Sequence, residues 1–177
     1  MHSVNPVYLK TEIQAALRKQ FRQDKRLRHI ALGDFLTMEE LARTRRSCAR
    51  GWKKKIIPDR CGHEVKKTMI VNELIGAFVK KLLGKPVRRE TNRRFGHRDY
   101  TMHGKEKQEA CIVAYLFPDD WNQDWGGNIV FVNAGTALGR FAPRKNTLLI
   151  VERKNGVRSF VKYVNHRAKK RKLTILS

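Results

Sequence analysis

The stretch ACIVAYLFPDDWNQDWGGNIVFVN, residues 110–133, decides the fold class. It opens on an apolar run rich in β-branched and aromatic residues, Ala110–Phe117, and closes on a second, Asn128–Asn133. Between them stand Asp119-Asp120 and Gly126-Gly127, turn formers that a continuous helix would not carry. The spacing predicts two strands joined by a turn. From residue 93 onward the period is two, and Thr147–Arg153, Val157–Asn165 and Arg171–Leu176 are further predicted strands. Ala134-Gly135, Pro143 and Asn155-Gly156 separate them, and the last pair, between two strand runs, predicts a hairpin.

Upstream the period changes. Leu9, Ile13, Leu17 and Phe21 recur every four residues, one narrow apolar stripe on a helix. His29-Ile30-Ala31-Leu32 reads as a short strand ending at Gly33-Asp34. Thr37 and Glu40 form a T-x-x-E capping box that opens a helix over residues 37–55. Its buried face takes Met38, Leu41, Ala42, Cys48 or Ala49, and Trp52; Arg43, Arg46, Arg50 and Lys53 or Lys54 run along the other side. A third helix over 69–83 presents Ile70, Val71, Leu74, Ile75, Phe78, Val79, Leu82 and Leu83, with Gly84 and Pro86 to stop it. Helices first and strands afterwards predict an α+β protein, its helices packed on one face of an antiparallel sandwich or barrel. Residues 1–27 are expected to form a basic N-terminal helical extension and 28–177 a single domain.

Composition restricts the partners. Of 177 residues, 39 are Lys or Arg and 16 are Asp or Glu, a formal charge of +23. Such an excess on a folded chain repels itself and calls for a polyanion. Each neutralised phosphate of a nucleic acid adds affinity through counterion release. An apolar share of 41%, with eight Phe and three Trp, excludes a disordered basic tail. Cys48, Cys61 and Cys111 are far apart and odd in number, which fits a reducing compartment rather than a disulfide framework. Cys61-Gly62-His63 has no second ligand pair and reads as a turn. No apolar run is long enough to span a membrane and no signal-peptide core opens the chain. Residues 8–28 are Arg-rich and amphipathic like a mitochondrial transit peptide, but Glu12 and Asp24 count against that. The cytoplasm is therefore the expected location, with the mitochondrion the alternative.

Five segments, in order and spacing, carry a family resemblance: Tyr100-Thr101-Met102-His103, Ile112–Leu116, Trp121–Gly127, Pro143–Asn146 and Val161–Arg171. Together they resemble the prolyl-hydroxylase-like 2-oxoglutarate/Fe(II) oxygenases, most of all those that hydroxylate a ribosomal protein. The family pattern has a Y-x-x-H-x-D opening, a tyrosine-leucine strand, a W-x-x-x-x-G-G turn, a P-x-x-N strand, a distal H-x-V and a late arginine. The resemblance covers most of residues 28–177. It implies N-terminal helices packed on a C-terminal double-stranded β-helix, or jelly roll.

The resemblance also implies where the chemistry should sit. Such enzymes hold Fe(II) with two His and one carboxylate, and bind 2-oxoglutarate beside it. The better register puts the proximal ligand at His103, the carboxylate position at Lys105 and the distal ligand at Ser159. A protonated ammonium repels Fe(II), and a serine hydroxyl is a poor ligand for it. Tyr115 and Arg171 occupy the 2-oxoglutarate positions, where Arg171 would pair with a carboxylate. The other register uses His97-x-Asp99, which lies early relative to Tyr115-Leu116 and otherwise reads as a surface turn. The sequence therefore reads as a retained oxygenase fold with a dismantled metal site, needing no cofactor.

Basic residues spread over the whole chain suit a protein embedded in folded RNA, reading phosphate and shape. The expected partners are ribosomal RNA and neighbouring ribosomal proteins. Arg43, Arg46, Arg50, Lys53, Lys54, Arg167, Lys169, Lys170 and Lys172 are the expected phosphate contacts. Two alternatives stay open. One is an active Fe(II)/2-oxoglutarate prolyl hydroxylase acting on a translation protein; the other is a DNA-binding architectural protein.

Overall fold

The computed structural model describes residues 3–57, 61–66, 70–84, 92–101, 111–117, 121–152, 154 and 156–176. Among these lie helices α1 (Thr11–Gln23), α2 (Met38–Ser47) and α3 (Ile70–Leu83). The strands are β1 (His29–Leu32), β2 (Lys53–Ile57), β3 (Cys61–Lys66), β4 (Asn92–Phe95), β5 (Cys111–Phe117), β6 (Ile129–Asn133), β7 (Thr136–Phe141), β8 (Thr147–Glu152), β9 (Val157–Val161) and β10 (Leu173–Leu176). They build a seven-stranded sheet in the order β1-β8-β5-β10-β4-β3-β2 and a three-stranded sheet in the order β7-β6-β9. Every strand pair is antiparallel.

All six side chains of β8 are buried, and their alternation divides the interior in two. Leu148 and Ile150 join Leu17, Phe21, Phe35, Val71, Ile75, Phe78 and Leu82, so the helices cover this face of the large sheet. Leu149 and Val151 point the other way, into a cluster with Phe95, Ile129, Phe131, Val161 and Leu173, where the small sheet lies. The protein is thus mixed α+β, with helices, large sheet and small sheet in successive layers. The α1 stripe behaves as its period demands: Leu17 and Phe21 are buried, while Leu9 and Ile13 pack half-buried on the same cluster. In α3, Phe78 and Leu82 are buried and Leu74 lies at the cluster's margin.

Three local expectations are corrected. The second helix ends at Ser47 rather than near residue 55. Trp52 donates its indole N–H to the Cys48 carbonyl at 2.7 Å, closing the helix end, and Lys53 and Lys54 then belong to β2 opposite Val65 and Glu64. The capping box forms by half: the Thr37 hydroxyl accepts from the Glu40 N–H at 3.4 Å, but the buried Glu40 carboxylate turns to Arg43. Cys61-Gly62-His63 is the start of β3, paired with Ile57, Ile56 and Lys55, rather than a turn.

The strands flanking Asn155-Gly156 do not pair as the expected hairpin; Asn155 itself lies outside the described residues. β8 pairs with β1 and β5, so both of its hydrogen-bonding edges are occupied, and β9 pairs with β6 in the other sheet. The chain between them is a crossover from large sheet to small. Strands β2, β3, β4 and β7 were not expected from periodicity. β7 is a half-exposed outer strand, and β2 carries three lysines in five residues, so neither has a strong apolar alternation.

Asn146 ties the start of β8 to the loop between β1 and α2. Its side-chain amide accepts from the Leu36 N–H and donates to the Leu36 carbonyl, both at 2.9 Å, and its own carbonyl accepts from the Phe35 N–H at 2.9 Å. Leu36 is bridged to Val4 on one side, and on the other this one amide side chain satisfies both of its buried backbone groups. Asn146→Ala leaves both Leu36 groups unsatisfied and should cost ~2–4 kcal/mol in denaturant unfolding. Asn146→Asp should recover only part, because a carboxylate accepts from the N–H but cannot donate to the carbonyl. A loss below about 0.5 kcal/mol for the alanine variant would remove this role.

Candidate functional site

Two backbone segments close on each other at the end of β9. Residues 98–101 run antiparallel to 161–164: the Arg98 N–H donates to the Val164 carbonyl at 2.8 Å, the Val164 N–H to the Asp99 carbonyl at 3.0 Å, and the Thr101 N–H to the Val161 carbonyl at 3.1 Å. The buried Thr101 hydroxyl accepts from the Val161 N–H at 2.9 Å. The 121–128 segment closes the other side, where the Gly127 N–H donates to the Lys162 carbonyl and the Asn165 N–H to the Trp125 carbonyl. Gly126 (φ 87°) has no alternative here, because a β-carbon would collide with the Tyr163 carbonyl oxygen. The W-x-x-x-x-G-G motif is therefore a packing device, with the Trp121 indole donating to the Gly126 carbonyl at 3.1 Å.

The positions implied for metal chemistry fall as follows. His97 and Asp99 flank Arg98, whose φ of 70° makes this a tight turn rather than a strand with i and i+2 on one face. The Asp99 carboxylate accepts from the Gly96 N–H at 2.7 Å, and His97 is exposed. Ser159 lies on β9 opposite Phe131 of β6, half-buried. Tyr115 stands on β5 between Leu148 of β8 and Leu176 of β10. Arg171 is exposed just before β10. His103 and Lys105 lie outside the described residues.

The cations expected to meet phosphate are all exposed. Arg43 also pairs with Glu40 at 2.6 Å. Arg43 and Arg46 are on α2 with Arg50 just beyond it, and Lys53 and Lys54 are on β2, the outermost strand of the large sheet. Arg167, Lys169, Lys170 and Lys172 surround the single 3-10 turn His166–Ala168 that precedes β10. The fold brings two of these groups together around one acid. Lys54, Glu64, Arg94 and Thr174 are successive neighbours across β2, β3, β4 and β10. Lys172 reaches the Glu64 carboxylate at 3.2 Å from the far side.

Sequence reasoning missed that network. Arg94 hydrogen-bonds the same Glu64 carboxylate and lays its guanidinium over the Trp52 ring at 4.7 Å. Partners 30 and 108 residues away leave no local signal at Glu64. Burial alone would raise the Glu64 carboxyl, but hydrogen bonds and charge from Arg94 and Lys172 outweigh it and hold the pKa below the ordinary range.

No family model matches this sequence, and no curated protein matches it. Solved structures do. A Burkholderia pseudomallei oxidoreductase of the 2OG-Fe(II) oxygenase family superposes with a TM-score of 0.64 at 16% identity, over 92% of this chain and 88% of that one. A Pseudomonas putida prolyl-4-hydroxylase gives 0.60 at 13% identity, over 93% and 96%. A Trichoplax adhaerens prolyl hydroxylase, solved with a peptide of the hypoxia inducible factor oxygen degradation domain, gives 0.60 at 11% identity, over 93% and 88%. The chain therefore has the fold of the 2-oxoglutarate/Fe(II) oxygenases, as the five sequence segments implied. At these identities the likeness is one of fold, and function rests on the residues.

A group whose folded pKa is depressed stabilises the fold above its unfolded pKa and loses that contribution as pH falls through the folded value. Acid titration of unfolding free energy should accordingly show a drop across the carboxylate range that Glu64→Gln makes shallower. Equal pH profiles for the two proteins would mean that the triad adds nothing to stability.

Proposed function

We propose that the protein is a structural RNA-binding component of the cytoplasmic ribosome, built on an oxygenase fold that no longer holds iron. The seven- and three-stranded sheets are read as the two halves of a double-stranded β-helix. The observation that carries the proposal is the +23 charge, displayed as exposed cations on α2, on β2 and before β10. A single recognition helix would concentrate charge; cations on several elements suit a surface that touches several RNA backbone segments.

The donor chemistry supports the same reading. Fe(II) in this fold needs two imidazoles and a carboxylate, whereas the better register offers His103, Lys105 and Ser159. That set does not fit the metal. In the other register the Asp99 carboxylate is already engaged by the Gly96 N–H. The second reading, a live prolyl hydroxylase docking on a translation protein by charge, is favoured by the two prolyl hydroxylases among the similar folds.

Binding to ribosomal RNA should be steeply salt-dependent, with affinity falling ~10³–10⁵-fold between about 50 and 200 mM salt if six to ten duplex phosphates are neutralised. Changing Arg43, Arg46 and Arg50 together to Gln should reduce the salt slope by roughly two to three. The wild type should cosediment with ribosomal particles, and a chain found wholly free, or only with DNA, would sink the ribosomal assignment. Anaerobic Fe(II) calorimetry should show no stoichiometric site. Tight one-to-one binding lost in His97→Ala and Asp99→Ala would return the oxygenase reading.

A further inference from the structure

Tyr163 is half exposed, one of three large hydrophobic residues at the surface among the described residues, and it sits on hydrogen-bonded backbone. Lys162 and Val164 on either side of it are hydrogen-bonded through both N–H and carbonyl, to Asn128, Gly127, Asp99 and Arg98. The Tyr100 ring lies 6.3 Å from the Tyr163 ring, tilted at 50°, so the exposed ring has an aromatic neighbour as well as a fixed backbone. The same backbone closure delivers the exposed Arg98 to this segment, and the turn carrying the exposed Arg167 and Lys169 follows directly. Of the nearby acids, Asp99 has its carboxylate turned onto the Gly96 N–H.

We propose that Tyr163, backed by Tyr100 and close in the chain fold to Arg98, Arg167 and Lys169, is a stacking platform for an unpaired base of a bound RNA strand. The inference rests on the RNA-binding reading and adds to it which RNA conformation this face takes. Proteins that hold single strands combine cations along the backbone with an aromatic face for a base. A rigidly presented tyrosine loses little entropy on stacking, because its backbone is already fixed. A continuous duplex keeps its bases stacked on one another, so it can use the cations here but not the ring. The platform therefore selects loops, bulges or ends of a folded RNA.

The test compares a labelled single-stranded oligoribonucleotide of about twelve nucleotides with a blunt RNA duplex, by fluorescence anisotropy. Tyr163→Leu keeps bulk but removes the aromatic face, and should weaken the single strand about 5- to 150-fold while changing the duplex less than about twofold. Tyr163→Phe should bind both like the wild type. Neutralising Arg167 and Lys169 to Gln should weaken both RNAs and lower the salt slope by about two. Unchanged single-strand affinity in a Tyr163→Leu protein with wild-type melting overturns the platform while leaving RNA binding intact. If the wild type binds neither RNA, or the Arg167 and Lys169 variant binds both unchanged, the RNA reading fails for this face and the platform with it. Should Tyr163→Leu melt early, photocrosslinking of 4-thiouridine RNA to the wild type decides: crosslinks at Tyr163 or Tyr100 support the platform, and crosslinks only elsewhere overturn it.

Discussion

The fold depends on one strand, β8, being buried at every position, with four apolar residues in a row at its centre. Successive side chains of a strand point to opposite faces, so Leu148 and Ile150 cannot share a core with Leu149 and Val151. Two separate apolar layers must exist, and the rest of the chain is arranged to supply them. The helices α1, α2 and α3 cover one face and the small sheet covers the other. Because β1 and β5 occupy both edges of β8, the chain cannot fold straight back on it and must cross to the second sheet at β9. The crossover in turn places residues 157–172 where the turn 96–101 and the segment 121–128 close on them.

The motifs that carry the family resemblance separate into two kinds. Gly126, Gly127 and Asn146 hold backbone: the glycines allow a close approach that any β-carbon would block, and Asn146 satisfies a buried loop. His103, Lys105 and Ser159 are the positions at which the sequence resemblance expects metal ligands, and only the first of them is a usual ligand type for Fe(II). A packing device is needed whatever the protein does, whereas a ligand is needed only for the reaction. On the proposed reading, the first kind keeps the fold while the use is decided by what else the surface presents.

That surface is set by how few acids there are and how they are used. Glu152 pairs with Arg28 at 3.0 Å, Glu40 with Arg43, and Glu64 with Arg94 and Lys172. Backbone hydrogen bonds from Leu27 and Arg26 hold the Asp24 carboxyl below its usual range, at the exit of α1. Glu152 and Glu64 fasten separate parts of the fold to one another, whereas Glu40 acts within α2 and Asp24 at the exit from α1. The excess of cations is left facing solvent on several elements.

By itself the sequence determined what depends on neighbours within one or two turns of chain. The α1 stripe, α3, β1 and the apolar strands β5, β6, β8, β9 and β10 are legible because a core-facing element writes its own period. The end of α2, the strands β2, β3, β4 and β7, and the route taken after Asn155-Gly156 were decided by the tertiary structure. A lysine-rich segment becomes a strand because β3 offers it a ladder, and β9 pairs with β6 rather than β8 because both edges of β8 are already taken. The candidate site divides the same way. Its cations were readable as composition, but their gathering around Glu64 and the pairing of Tyr100 with Tyr163 required strands far apart in the chain to meet, and such pairing energies are absent from any local stretch of residues.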